Sequence, residues 1–131
     1  MSDPIEGVMR DAWDAYRAGD RSALLALVHP DLEWTYFDPA FADPPPQTCH
    51  GRGELEQALD RPVASALRWD LEEVAAHGDR VLVVLHAPGL DQQRARPAGD
   101  RNYLVLTIRE GKIAAMRACR SLDEARGLAG L

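Results

Sequence analysis

The stretch Leu32-Glu33-Trp34-Thr35-Tyr36-Phe37-Asp38-Pro39 decides how this chain is read. Before it, apolar side chains recur every three or four residues, the period of a helix; here the period becomes two, that of a strand. Leu32, Trp34, Tyr36 and Asp38 share one face, and Glu33, Thr35 and Phe37 share the other. Three aromatics thus lead into a carboxylate whose backbone is restrained by the following Pro39. Asp38 has two readings. It is a carboxylate at the edge of an aromatic-lined pocket, or the first residue of a type I turn with proline second.

Upstream, Ser2 and Asp3 are N-cap types, Pro4 suits a first turn and Glu6 stands at the capping-box position. Ile5, Val8, Met9, Ala12, Trp13 and Tyr16 then make one apolar stripe, which Gly19 ends. Asp20 or Ser22 caps a second, Leu-rich helix that Pro30 closes. Downstream, residues 39–46 are too poor in amide donors for sheet interior. A third helix is expected from Gly51 to a point before Pro62.

The rest reads as strands. Leu67, Trp69 and Leu71 alternate with Arg68, Asp70 and Glu72, a strand with one wet face. Residues 81–86 form an apolar run fit for an inner strand, and residues 88–101 an exposed loop. Residues 102–109 and 112–120 are two strands joined by a tight turn at Glu110-Gly111, before a short helix or a frayed tail over 123–131. Helices gathered on one side of an antiparallel meander predict an α+β fold, a single domain over 1–131. Three helices on a strongly curved sheet would enclose a cone with an open mouth.

A chain of 131 residues is long enough for one real core. The net charge of −6 and the absence of a basic stripe exclude a nucleic-acid partner. No apolar run reaches the roughly 18 residues of a membrane helix, and Met-Ser-Asp-Pro lacks the basic and then apolar start of a secretory signal. Cys49 and Cys119 are too few and too distant for a disulfide framework or a zinc site, so they read as reduced thiols of a cytoplasmic protein. No His-x-x-x-His or similar ligand spacing occurs, and neither a metal nor a cofactor is expected.

Four motifs in this order carry a resemblance. Ala18-Gly-Asp20 precedes the Leu-rich helix, and His29-Pro-Asp-Leu-Glu-Trp34 enters the first strand. Cys49-His-Gly-Arg52 opens the third helix, and Arg109-Glu-Gly-Lys-Ile113 turns between the last two strands. Together they resemble the nuclear transport factor 2-like superfamily, and within it the SnoaL-like and ketosteroid isomerase-like proteins. The resemblance implies a deep, mostly apolar pocket inside the cone and a homodimer packed through the sheet. It also implies a hydrophobic small molecule as partner and, among known activities, isomerases, polyketide cyclases, dehydratases and epoxide hydrolases.

By the same resemblance, Asp38-Pro39 matches the Asp-Pro of ketosteroid isomerases, whose aspartate is the general base. Desolvation at the edge of an apolar cavity would raise the pKa of such a carboxylate toward the range where it removes a carbon-bound proton. The oxyanion donors of those enzymes fall near Ala12 and Leu106, which donate nothing. Loss of such donors costs about 3–4 kcal/mol each, which argues against standard ketosteroid chemistry and leaves SnoaL-like cyclase chemistry open. Tyr16, one turn beyond Ala12 on the same stripe, is the substitute donor. The epoxide hydrolase set finds Asp38 and Arg117 but no third member, since Asp70 falls on a wet face.

Asp38, Tyr16 and His86 are therefore the candidate catalytic residues, and Trp13, Trp34, Tyr36, Leu106 and Arg117 the candidate substrate contacts. His86 is an acid or base if its face with Leu82 and Val84 lines the cavity, and a strand-end histidine if it does not. His50 reads as a loop or helix-cap residue rather than a catalyst. Two functions remain: acid–base catalysis on a hydrophobic carbonyl compound, or non-catalytic binding of an apolar ligand by a dimerising module.

Overall fold

Helical spacing gives way to strand spacing as the sequence requires, but earlier than Leu32. The computed structural model describes residues 4–37, 46–59, 69–89 and 99–131. Helix α1 (Pro4–Ala18) lays Met9, Ala12 and Trp13 into the core. It ends in a Schellman motif: Gly19 is left-handed (φ 71°), its N–H donates to Tyr16 O and the Asp20 N–H donates to Ala15 O. Asp20 resolves the choice of cap for α2 (Arg21–Ala26), since its Oδ1 accepts from the Ala23 N–H. Ser2 and Asp3 lie outside the described residues. Glu6 Oε1 accepts from the Ala76 N–H of the edge strand β3 (Asp70–His77), which joins helix to sheet.

Strand β1 (Val28–Phe37) begins four residues before the predicted start. Pro30 lies inside an irregularity where the register against strand β6 (Lys112–Cys119) jumps between Val28 and Glu33. A proline is tolerated at such a bulge because no ladder bond is asked of it. The second difference is β2 (Pro46–His50), an edge strand where the sequence suggests a loop and the approach to a helix. Gln47-Thr-Cys-His50 has no apolar alternation, so it is specified by its partner: it pairs antiparallel with β1, Thr48 opposite Thr35 with hydroxyls 3.3 Å apart. Pro46 takes the first position of that edge, where its missing N–H costs least. His50 is accordingly the last residue of β2.

Gly51 then starts α3 (Gly51–Leu59) at φ 77°, and a Cβ there would sit 3.4 Å from the Pro30 carbonyl oxygen. Arg52 Nε donates to Val28 O at 2.9 Å, which ties α3 to the start of β1. The meander follows as expected: β3, then β4 (Arg80–His86), β5 (Arg101–Arg109) and β6, the last two joined through Glu110 (φ 57°) and Gly111 (φ 73°). Two left-handed central residues make the type I′ turn whose twist suits a hairpin. Helix α4 (Leu122–Ala129) is capped by Ser121, which accepts from the Glu124 N–H, and ends at Gly130 (φ 78°).

The strand order is β2-β1-β6-β5-β4-β3, antiparallel except for the β1–β6 pair. Among the described residues, four helices pack on this curled six-stranded sheet, the α+β architecture read from the sequence. Helix α1 and the flanking residues of α2 and α3 fill the concave side with the larger core, which includes Leu32, Val81, Val83, Leu106 and Ile113. Helix α4 covers part of the convex side, over Leu82, Val105 and Cys119. Among the described residues no helix is long and apolar enough to cross a membrane.

Candidate functional site

Strand register sorts the side chains into rows that cross the sheet, and two neighbouring rows have opposite characters. Cys49, Trp34, Met116, Leu106, Val81 and Ala76 are successive partners from β2 to β3. Trp34, Met116, Leu106, Val81 and Ala76 all belong to or pack on the concave core, and no ionisable acid or base stands among them. The adjacent row runs Thr48, Thr35, Arg117, Val105, Leu82 and Ala75. It lies on the convex side, where Val105, Leu82 and Ala75 pack with α4.

The concave row has an aromatic lid. Trp13 and Tyr16 stack with ring centroids 5.5 Å apart and planes at 28°, one turn of α1 supplying both. Trp13 is 8% exposed, whereas Tyr16 is half-buried at the margin of the cluster. Burial pushes the Tyr16 phenol above its ordinary pKa, so at neutral pH it is a hydrogen-bond donor held in an apolar setting. Trp34 and Trp69 are half-buried on the same cluster, and the Trp34 indole nitrogen is fully buried. Trp13, Tyr16, Trp34 and Trp69 thus contribute four aromatic rings to this one core cluster.

Ala12 and Leu106, near which the resemblance would put oxyanion donors, are 3% and 1% exposed in this same cluster. Both side chains are alkyl groups of the buried core. Asp38 lies outside the described residues, which end at Phe37 and resume at Pro46. The Tyr36 backbone pairs with Gln47, two positions beyond Trp34. Trp13, Tyr16, Trp34 and Leu106 are thus brought together.

His86 and Arg117 are placed elsewhere. His86 stands on the convex side, its register partners Asp70 and Arg101, with Leu82 of the same strand face under α4. Arg101 Nε donates to Glu72 Oε1 at 2.8 Å beside it. That bond, reinforced by the charges of Arg101 and His86, holds the Glu72 carboxyl below its usual range. Arg117 is exposed on the convex side, paired in register with Thr35 and Val105. It lines a groove of 210 Å³ with Glu33, Thr35, Thr107 and Ala115. Sequence reasoning does not find this groove, although Glu33 and Thr35 alternate with Trp34 and so have to face away from it. Among the described residues no group of three metal-ligating side chains occurs.

Comparison with known proteins gives the same architecture. An NTF2-like protein of unknown function from Burkholderia pseudomallei superposes with a TM-score of 0.67 at 19% identity, over 99% of this chain and 100% of its own. Rv0760c from Mycobacterium tuberculosis, in complex with estradiol-17β-hemisuccinate, gives 0.63 at 22% identity, over 93% and 97%. TerC, co-crystallised with polyporic acid, gives 0.64 at 18% identity, over 98% and 100%. Identities this low speak for the fold and leave each ligand with its own protein. By sequence, no curated protein matches the chain. Residues 9–116 match the SnoaL-like domain, so the chain belongs to the SnoaL-like family.

Proposed function

We propose that this protein holds a hydrophobic, carbonyl-bearing small molecule against its concave face and acts on it by acid–base catalysis, as an isomerase, cyclase or dehydratase. The observation that carries the reading is the Tyr16 phenol, stacked on Trp13 beside the apolar row of Trp34, Met116 and Leu106. In this reading the Asp38 carboxylate removes a proton from the carbon next to the carbonyl, and the electron pair moves onto oxygen as an enolate. Tyr16 donates its O–H to that oxygen, and Asp38 returns the proton to carbon or to a leaving group. The ligands of Rv0760c and TerC, a steroid ester and polyporic acid, support a carbonyl-bearing apolar class.

The second reading, a non-catalytic binder, is favoured by Ala12 and Leu106, which put alkyl groups where oxyanion donors would stand. One experiment separates the two. Steroids, aromatic polyketides and fatty acyl compounds are screened for a ligand-induced rise in Tm, and each binder is then incubated in deuterated water. Deuterium entering the carbon next to the carbonyl, reduced about 100-fold or more by Asp38→Asn, supports catalysis. Binding with the same exchange rate in both proteins supports the binder; no stabilisation by any compound at saturation removes both.

A homodimer through the open part of the sheet and a cytoplasmic location belong to the same reading. Cys49 and Cys119 are buried free thiols, which supports a reducing compartment. Sedimentation velocity across a hundredfold range of protein concentration tests the dimer.

A further inference from the structure

We infer that two copies of this chain are held in register by reciprocal ion pairs, the Arg117 of each protomer reaching the partner's Glu33. The inference rests on the sheet-packed homodimer of the proposed function and names what fixes that interface. Helix α4 packs over Leu82, Val105 and Cys119 of β4, β5 and β6, and among the described residues β1 and β2 contribute nothing to that cluster. The convex side chains beyond it are mostly small and polar. Thr48 and Thr35 place hydroxyls 3.3 Å apart, and Ala115 and Thr107 are register partners further across. Small side chains let a second sheet approach, but they offer no large apolar anchor to fix where it sits.

Charge is what remains to fix it. Arg117 is exposed, and among the described residues no carboxylate lies within ion-pair distance of it. Glu33 is exposed on the neighbouring strand, two residues before Thr35, the register partner of Arg117. Its Oε1 lies 3.6 Å from the exposed His50 Nε2, which leaves Oε2 to take a donor. The other cation of this groove, Arg80, is already engaged, since its guanidinium donates to the Leu128 carbonyl oxygen of α4. Ala115 is the register partner of Glu33 and lines the 210 Å³ groove with it. A partner guanidinium seated over Ala115 therefore lies beside the Glu33 carboxylate, with its alkyl stem on the methyl group. A two-fold axis repeats this contact, because where residue i meets j, j also meets i. A face that carries one such cation and one such anion in adjacent rows is complementary to a copy of itself. Slides that bring like charges together are penalised, so the two charges select one packing among those a Thr-rich face allows.

The test is sedimentation velocity of the intact chain as wild type, as Glu33→Arg, as Arg117→Glu and as an equimolar mixture of the two variants. Either reversal alone puts two like-charge contacts into the homodimer and should weaken it about 100-fold or more. In the mixture a heterodimer regains two opposite-charge contacts, one native and one with its signs exchanged. It should associate within about tenfold of wild type, which a pair formed inside one chain would not produce. Two misfolded chains would not restore each other, so the mixture also verifies folding. The milder Glu33→Gln and Arg117→Gln should each weaken the dimer severalfold, and the double variant should be no weaker than either. A wild-type dimer that either reversal leaves intact, a mixture no tighter than its components, or additive Gln variants would overturn the inference and leave the homodimer standing. A wild type that sediments as a monomer at every concentration overturns both.

Discussion

Trp34 and Arg117 stand one residue out of register on adjacent parallel strands, and their side chains leave opposite faces of the sheet. Trp34 is partnered by Met116 in the concave row, and Thr35 by Arg117 in the convex one. Two residues that look like neighbours of one site in the sequence therefore serve different surfaces. Trp34→Ala should weaken a concave-face ligand about tenfold or more, since an aromatic wall is lost. Arg117→Ala should leave that affinity unchanged. Calorimetric titration of both variants and the double mutant checks this, with additive effects expected.

In the proposed function Tyr16 carries the polar contact to the ligand, so removal of its hydroxyl should affect binding more than folding. Tyr16→Phe keeps the stack on Trp13 and should change stability by less than about 1 kcal/mol. Affinity for a carbonyl ligand should fall severalfold while that for a matched hydrocarbon stays. In an absorbance titration at alkaline pH, the variant should lack one phenol that titrates above the ordinary 10.0 of tyrosine. Because the folded pKa is the higher one, the native state holds its proton longer than the unfolded chain. Stability from this group is complete below pH 10 and falls as pH rises beyond it.

Leu106 occupies the centre of the concave row and is 1% exposed. Leu106→Ala should cost about 2–5 kcal/mol, from lost apolar contact and the cavity left behind. Leu106→Asp should cost at least as much, because Ala12, Val81 and Met116 offer a carboxyl group no side-chain hydrogen-bond partner. Urea unfolding of the two variants measures both.

Cys119 lies under α4, and burial, aided by the charge of Glu124, pushes its thiol up to about 11. With Cys49→Ser to remove the other thiol, alkylation by iodoacetamide at pH 8 should run about 100-fold slower than for a free cysteine. The native protein retains this proton where the unfolded chain loses it. Stability from Cys119 is therefore intact below pH 9 and declines between pH 9 and about 11. Cys119→Ala should flatten that alkaline decline in a Tm-versus-pH series.

Gly51 is tested by Gly51→Ala. A left-handed φ of 77° and a Cβ 3.4 Å from the Pro30 carbonyl oxygen should together cost about 1–2 kcal/mol. Loss of the bond from Arg52 Nε to Val28 O in Arg52→Ala should cost about 1 kcal/mol, measured in the same denaturant series.

Elements whose specification is local are legible in the residues themselves. The α1 stripe with its glycine cap, the Glu110-Gly111 hairpin and the alternation of Leu32, Glu33, Trp34 and Thr35 each follow from side-chain period and turn chemistry among close neighbours. Strand β2 is not legible in this way, since Gln47-Thr-Cys-His50 is extended because β1 offers it an edge to pair with. The early start of β1 is hidden by Pro30, which the parallel partner β6 tolerates only by skipping register.

The sequence alone thus determined the α+β class, the resemblance to SnoaL-like proteins and which residues of each strand travel together. Only the tertiary structure decided which face each set occupies. Period two divides a strand into two sets without naming the inner one; that depends on where α1 and α4 dock. Helix α1 took the face of Trp34 and Leu106, and α4 took part of the face of Leu82, Arg117 and His86. The placement of apolar area under those two helices, and not the local pattern, put Tyr16 and Trp34 on one core cluster and sent Arg117 to the other side.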